Sequence, residues 1–173
     1  MNRNISMILQ HIAVIALALS FYYIDEYDLI EPEKHHMIFL TVATLKTIYF
    51  LTHSFKKVKD LSVVNNFSYF MKVMSINISL VILSYAADYF TLFQIYPSAF
   101  TGITTPGDPL ITFCDFFYFS VTIFSTTGLG DILPYSLSAK YLVCLEVILA
   151  FITIIFLLSN FANLKSSHKE QED

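Results

Sequence analysis

The chain has 173 residues, of which 55% are hydrophobic and only 14% charged, and its formal net charge is −4. Soluble domains carry about 25% charged residues, so the charge deficit argues against a soluble enzyme or a disordered tail. The negative net charge gives no basic field for nucleic acid. The composition therefore indicates a small integral membrane protein. Average usage would give about 12 glycines, yet the chain has four, which are Gly102, Gly107, Gly128 and Gly130.

Four stretches are apolar enough to cross a bilayer core of about 30 Å, which takes about 20 residues per helix. They are residues 5–24, 37–55, about 73–96 and 141–161. The first stretch also fits a cleaved signal peptide, because Arg3 precedes an apolar run that ends in a small-x-small pattern. Its length favours a retained helix, so we predict four membrane-spanning helices.

The basic residues near the span ends indicate the orientation, since Lys and Arg accumulate on the cytoplasmic side. In a four-span arrangement most of them fall on one side, namely Arg3, Lys56, Lys57, Lys59, Lys72, Lys165 and Lys169. The opposite side is mainly acidic. We therefore predict a multi-pass protein of the cell membrane with both termini in the cytoplasm.

The segment between the last two spans, residues 97–140, is too long for a turn and too apolar for a solvated loop. Its apolar, aromatic run at 111–124 has about 14 residues, too few to cross the core. This pattern is typical of a re-entrant helix. A polar, glycine-containing stretch follows at 125–131. Non-helical backbone at membrane depth is tolerated only where it is buried in protein or lines a watery cavity, so this stretch predicts a pore lining.

The spacing of Gly128 and Gly130 by two residues suggests how that lining works. Left-handed dihedrals are inexpensive only for glycine, and alternating right- and left-handed dihedrals turns successive carbonyls to one side. The carbonyls of Thr126, Thr127, Gly128 and Leu129, with the Thr126 hydroxyl, would then replace water around a cation. Such oxygen ligands suit a hard monovalent ion.

These residues resemble a known family. Tyr118-Phe119-Ser120-Val121-Thr122, then Ser125-Thr126-Thr127-Gly128-Leu129-Gly130-Asp131 and Pro134, are similar to the pore helix and selectivity filter of potassium channels. The resemblance implies an all-α membrane fold, with a re-entrant pore helix and an extended filter between an outer and an inner helix. It also implies a homotetramer that holds K⁺ at Thr126, Thr127, Gly128 and Leu129, with Gly130 completing the filter.

The predicted spans and the resemblance, which extends from the third span through the fourth, together divide the chain into three parts. Residues 1–66 would form two further transmembrane helices, 67–163 the pore domain and 164–173 a short cytoplasmic tail. Permeant K⁺ ions, the lipid bilayer and three further copies of the chain are the expected partners, with no cofactor and no nucleic acid.

The chain departs from the family pattern at several positions. Thr127 stands where Val or Ile is usual, and Leu129 stands where Tyr or Phe normally braces the filter against the pore helix. Thr122 occupies the position of a pore-helix Glu found in many members. The resemblance further implies that Asp131 supports the outer end of the filter by bonding to a pore-helix aromatic residue, here Tyr118.

Three charged residues lie inside predicted spans, where an unpaired charge costs on the order of 3 kcal/mol. They are Lys46, Asp88 and Glu146. We predict pairing between Lys46 and Asp88, with snorkelling to the interface as the alternative. Glu146 could instead brace the back of the pore.

The sequence thus favours a potassium-selective channel. A weakly selective monovalent cation channel and a non-conducting membrane subunit with a pore-like fold are the alternatives. The sequence has no Ser–His–Asp set, metal-ligand spacing or phosphate-binding loop, so we do not expect an enzyme.

Overall fold

The computed structural model describes residues 38–52, 67–105 and 107–169. Side chains are described for all of these except residue 67 and residues 160–169. Most of these residues are helical. In chain order the elements are helix α1 (Ile38–Thr52), helix α2 (Phe67–Ile95), a 3₁₀ turn (Pro97–Ala99), strand β1 (Phe100–Thr101), helix α3 (Pro109–Phe124), strand β2 (Leu133–Pro134) and helix α4 (Leu137–Lys169).

Among the described residues, two helices are long and apolar enough to cross a membrane, by their stretches Ser68–Ile95 and Leu137–Ser159. They correspond to the third and fourth predicted spans, and they support the expected helical membrane architecture. The first predicted span, 5–24, lies outside the described residues. Of the second, 37–55, the structure describes the 15 residues of α1, so the four-helix count stays a prediction.

Both long helices extend beyond the apolar stretches found in the sequence. Helix α2 begins at Phe67 rather than near residue 73, and α4 covers Leu137–Lys169 rather than 141–161. At 1.5 Å per residue, the 29 residues of α2 span about 43 Å. Hydropathy marks only the part of a helix that suits hydrocarbon, whereas its backbone hydrogen bonds continue through polar turns at either end.

Helix α3 begins two residues earlier than the predicted 111–124, at Pro109. The Asp108 side chain caps it by accepting from the backbone amides of Leu110 at 2.9 Å and Ile111 at 3.3 Å. Proline suits the first helical position because its missing amide hydrogen would have no helical partner. With 16 residues, α3 is about 24 Å long, which is shorter than a bilayer core.

An aromatic cluster packs α3 against α2. The ring of Tyr89 lies 5.1 Å from that of Phe119 and 5.6 Å from that of Phe100, and Phe100 lies 4.9 Å from Phe116. All four side chains are buried. Edge-to-face contacts of this kind add to the burial of large apolar surface, so they fix the position of the short helix against the long one.

A two-stranded antiparallel sheet joins the two ends of the segment that contains α3. Phe100 pairs with Pro134 and Thr101 pairs with Leu133. Beside the strands, the amides of Tyr135 and Ser136 both donate to the carbonyl of Ala99, at 2.8 and 3.2 Å. The segment between the two strands is therefore a loop between α2 and α4 whose two ends are held together.

Helix α1 is attached to the bundle through buried apolar residues, among them Phe39, Ala43 and Phe50, and through polar side chains. Lys46 forms an ion pair with Asp88 of α2, and the two side chains are only 7% and 4% exposed. The hydroxyls of Thr47 and Tyr85 lie 2.6 Å apart. The predicted pairing of Lys46 with Asp88 is thus present in the structure.

The Lys46–Asp88 pair should show the coupling of a buried salt bridge. We expect Lys46→Met or Asp88→Leu alone to destabilise the fold by about 3–5 kcal/mol, because each leaves an uncompensated buried charge, and the double variant to lose less than either single variant. Unfolding of the detergent-solubilised protein by a denaturing detergent measures all three. Thr52→Val serves as a control, since the Thr52 hydroxyl bonds only carbonyls of its own helix. Additive losses in the double variant would contradict the pairing.

Candidate functional site

The backbone after α3 alternates in handedness. Thr126, Gly128 and Gly130 have φ angles of +59°, +52° and +82°, whereas φ of the intervening Thr127 and Leu129 is not positive. We call residues 125–131 the filter segment. The two glycines adopt the left-handed conformation that their spacing predicts. Thr126 adopts it as well, which the sequence did not predict, because a β-branched residue rarely has positive φ.

Backbone amides of the filter segment donate hydrogen bonds to carbonyls at the end of α3. The amide of Thr126 donates to the carbonyl of Ile123 at 2.9 Å, and those of Thr127 and Gly128 donate to the carbonyl of Thr122 at 2.9 and 3.2 Å. These carbonyls belong to the last turn of the helix, where they lack helical partners. The backbone of the filter segment is thereby anchored on α3.

Thr122, a predicted support residue, acts through its backbone. Its hydroxyl donates to the carbonyl of Phe119 within α3 at 2.8 Å, while its own carbonyl accepts the two filter amides. The hydroxyl of Ser125 also lies 2.9 Å from that of Thr127. The sequence could not indicate which of the Thr122 atoms contacts the filter segment.

In the isolated chain, every residue of the filter segment is exposed. The side chain of Leu129 is 61% exposed. One chain therefore presents this backbone on its surface and cannot by itself surround an ion. Within the described residues, no group of three or more His, Cys, Asp or Glu side chains could hold a metal.

Asp131 and Tyr118 are in contact, as the resemblance implied. A hydrogen bond from the Tyr118 hydroxyl lowers the pKa of the exposed Asp131 carboxyl, and the backbone amide of Ile132 adds to the effect. That amide donates to Asp131 Oδ1 at 3.0 Å. The contact connects the outer end of the filter segment to α3.

Gly102 also adjoins the filter segment, although the sequence gave no sign of it. Its φ is +93°, and a Cβ atom at this position would overlap the carbonyl oxygen of Asp131. Only glycine permits this approach between the chain after β1 and the end of the filter segment. A lone glycine in a loop carries no local signal, since its neighbour here is 29 residues away.

Glu146, the third ionisable residue in the predicted spans, has hydrogen-bond partners other than Lys46 and Asp88. Its side chain is completely buried. The Tyr89 hydroxyl donates to Oε2 at 2.6 Å, and Ser120 Oγ lies 2.6 Å from Oε1. Glu146 of α4 is thus bonded to α2 and α3 at once, and Tyr89 and Ser120 are partners that the sequence did not reveal.

Comparison with known proteins gives one result. A family model described as an ion channel matches residues 78–166, just over half of the chain. The match includes most of α2, all of α3 and the filter segment, and nearly all of α4. No match was found among curated proteins or among solved structures.

The close approach at Gly102 predicts a specific defect. We expect Gly102→Ala to separate the chain from Asp131 and to speed amide exchange at residues 131–136 by about tenfold or more, since a non-glycine residue with strained φ costs on the order of 1–3 kcal/mol. Hydrogen–deuterium exchange with mass spectrometry measures this. Gly107→Ala is the matched control, because a Cβ there meets open space. Equal exchange in the two variants would contradict the interpretation.

Proposed function

The chain belongs to the ion channel family whose model it matches, and we propose that it is a potassium-selective member that conducts through a homotetrameric pore. The family establishes an ion channel. The choice of K⁺, the four-fold assembly and the role of the filter segment are the content of the proposal.

The alternating handedness at Thr126, Gly128 and Gly130 is the observation that carries it. In such a backbone successive carbonyls turn toward one side, where they can replace the hydration shell of a cation. Carbonyl rings of this kind are the basis of potassium selectivity. The Thr126 hydroxyl supplies a further oxygen at the end nearest α3.

Helix α3 adds an electrostatic contribution. The C-terminal end of a helix carries about half a negative elementary charge, and α3 ends at Phe124, directly before the filter segment. This end of the helix favours a cation over an anion. Its effect is concentrated there because the dipole interaction falls off beyond the last turn.

Four copies around one axis complete the site. The filter segment is exposed in the single chain, so carbonyls from several chains are needed to surround one ion. In a closed ring, each interface joins one face of a chain to a different face of its neighbour. Exposed apolar side chains on α3, among them Ile111, Phe117 and Val121, supply surface for neighbouring copies.

The distribution of Lys and Arg supports an orientation for this assembly. With both termini in the cytoplasm of a cell, the filter segment opens to the outside and the end of α4 lies inside. This topology requires an even number of spans, and it includes the predicted helices of residues 1–66.

Leu129 favours a second candidate, a weakly selective monovalent cation channel. Its apolar side chain has no hydroxyl with which to bond α3, so the outer half of the filter segment is restrained chiefly by the contacts of Asp131. A less rigid filter would discriminate K⁺ from Na⁺ less well.

Reversal potentials of the purified protein in planar bilayers test the proposal. With mixed K⁺ and Na⁺ on both sides, K⁺ in excess on one side and Na⁺ in excess on the other, we expect reversal close to the potassium equilibrium potential, because carbonyl coordination replaces the hydration shell of K⁺. Reversal near zero would instead establish the weakly selective channel. Absence of current from assembled protein would overturn conduction and leave a non-conducting subunit.

The matched variants for this measurement are Gly128→Ala and Gly107→Ala. At Gly128 an alanine would meet no other atom but would have to hold φ near +52°, which costs about 1–2 kcal/mol and favours rotation of the carbonyl. We expect Gly128→Ala to abolish flux and Gly107→Ala to conduct normally. Normal conduction in both would refute the filter assignment.

The Tyr118–Asp131 contact predicts sensitivity to external pH. Because the hydrogen bond lowers the pKa of Asp131, the carboxylate stays ionised to lower pH than an unbonded one. In Tyr118→Phe this pKa rises toward its ordinary value, so we expect current to decline at a higher external pH than in the wild type. Tyr135→Phe, at an exposed position, is the control. Identical pH profiles for all three proteins would contradict a supporting role for the contact.

A further inference from the structure

Glu146 and Ser120 form a small buried hydrogen-bond network between α2, α3 and α4. Three close contacts define it. Tyr89 Oη lies 2.6 Å from Glu146 Oε2, Ser120 Oγ lies 2.6 Å from Glu146 Oε1, and Ser120 Oγ also lies 2.9 Å from the carbonyl oxygen of Ile82. Glu146, Ser120 and Tyr89 are all inaccessible to solvent.

The number of available protons decides the state of the carboxyl group. A carboxylate and a carbonyl can only accept, whereas a tyrosine or serine hydroxyl has one proton to give. If Glu146 were ionised, two protons would serve three contacts, and one close oxygen pair would have no hydrogen between its atoms. A protonated Glu146 supplies the third proton, and every contact becomes a hydrogen bond.

The charges around the network point the same way. Lys46 on α1 and Asp88 on α2 already neutralise each other beside it. Among the described residues, the other ionisable groups facing this region include the hydroxyls of Tyr85, Tyr89 and Tyr141, which carry no charge when protonated. An ionised Glu146 would leave two carboxylates for one lysine in surroundings where an uncompensated charge is costly.

We propose that Glu146 is a neutral carboxylic acid at neutral pH and that it positions the pore helix by donating to Ser120. The hydrogen bonds then run in one direction, from Tyr89 to Glu146, from Glu146 to Ser120 and from Ser120 to the carbonyl of Ile82. This assignment rests on the proposed function only in those experiments below that measure ion selectivity.

Ser120 connects this network to the filter segment. It lies two residues before Thr122, whose carbonyl accepts the amides of Thr127 and Gly128. A shift of α3 toward or away from α4 therefore moves the acceptor on which the filter backbone depends. The Glu146 carboxyl group is completely buried and bonds Tyr89 and Ser120, so its role is to position α3 and, through it, the filter segment.

Infrared spectroscopy tests the neutral state without reference to conduction. With the glutamate carboxyl carbons labelled with ¹³C, we expect a carboxylic-acid carbonyl band at neutral pH that shifts with the label and is missing in Glu146→Gln. Aspartate cannot contribute a labelled band. A wild-type spectrum with glutamate carboxylate bands alone would overturn the neutral state.

Variants test the positioning role. Glutamine can reproduce the contacts of a neutral acid, since its NH₂ donates to Ser120 and its carbonyl accepts from Tyr89. We expect Glu146→Gln to keep wild-type selectivity. Glu146→Ala and Ser120→Ala should shift the reversal potential away from potassium equilibrium, and amide exchange at residues 126–128 should rise by about tenfold through loss of a buried hydrogen bond.

The matched control is Ser79→Ala, which removes a serine hydroxyl bonded only to the carbonyl of Ser75 in its own helix. Unchanged exchange and reversal in assembled Glu146→Ala and Ser120→Ala would overturn the positioning role, as would Glu146→Gln behaving like Glu146→Ala. If Glu146→Ala does not fold, the smaller change in Ser120→Ala decides. A wild type that lacks selectivity or current refutes the proposed function, while the infrared and exchange results still decide the inference.

Discussion

The anchoring of filter amides on the last turn of α3 is the constraint on which this structure depends. Backbone at membrane depth must satisfy its hydrogen bonds within the protein or at a cavity. Here the amides of Thr126, Thr127 and Gly128 donate to carbonyls at the end of α3, the end that a helix leaves unpaired. One set of hydrogen bonds thus satisfies both the helix terminus and the loop. The backbone can hold left-handed dihedrals only because these contacts, together with the β1–β2 pairing at its far ends, leave it few alternatives.

The position of α3 is in turn determined by groups behind it. Aromatic rings from α2 and β1 pack against Phe116 and Phe119, and they exclude water from the back of the pore helix. Apolar packing alone leaves a helix free to slide or rotate slightly, because many such contacts are nearly equivalent. The hydrogen bonds of Ser120 to α2 and α4 are directional. They specify one rotation of α3, at the cost of burying a carboxyl group between the helices.

The sequence was most informative where the determinants are local. The apolar run before the filter segment and the two-residue spacing of Gly128 and Gly130 both depend on neighbouring residues, and these predictions agree with the structure. The partners of Glu146 and the close approach of Gly102 to Asp131 depend on residues distant in sequence, so no local pattern could predict them.

The positive φ of Thr126 was missed for another reason: residue preference argues against it, and only the anchoring on Ile123 and Thr122 explains it. The Lys46–Asp88 pair was predictable despite its separation, because two opposite charges within hydrocarbon have few other ways to avoid a large desolvation cost.

The absence of an aromatic residue at position 129 changes how the outer end of the filter segment must be held. Leu129 offers no hydrogen bond, and in the single chain its side chain projects into open space. Two restraints lie two residues further on, where the Asp131 side chain contacts Tyr118 and its backbone meets Gly102. Both act on the same residue: one connects it to Tyr118 near the middle of α3, and the other brings it against Gly102, directly after β1. The inner half of the segment is therefore fixed by the backbone of α3, whereas the outer half is fixed from its far end. Any difference in rigidity between the two halves should arise between Gly128 and Asp131, the stretch that neither anchor reaches directly.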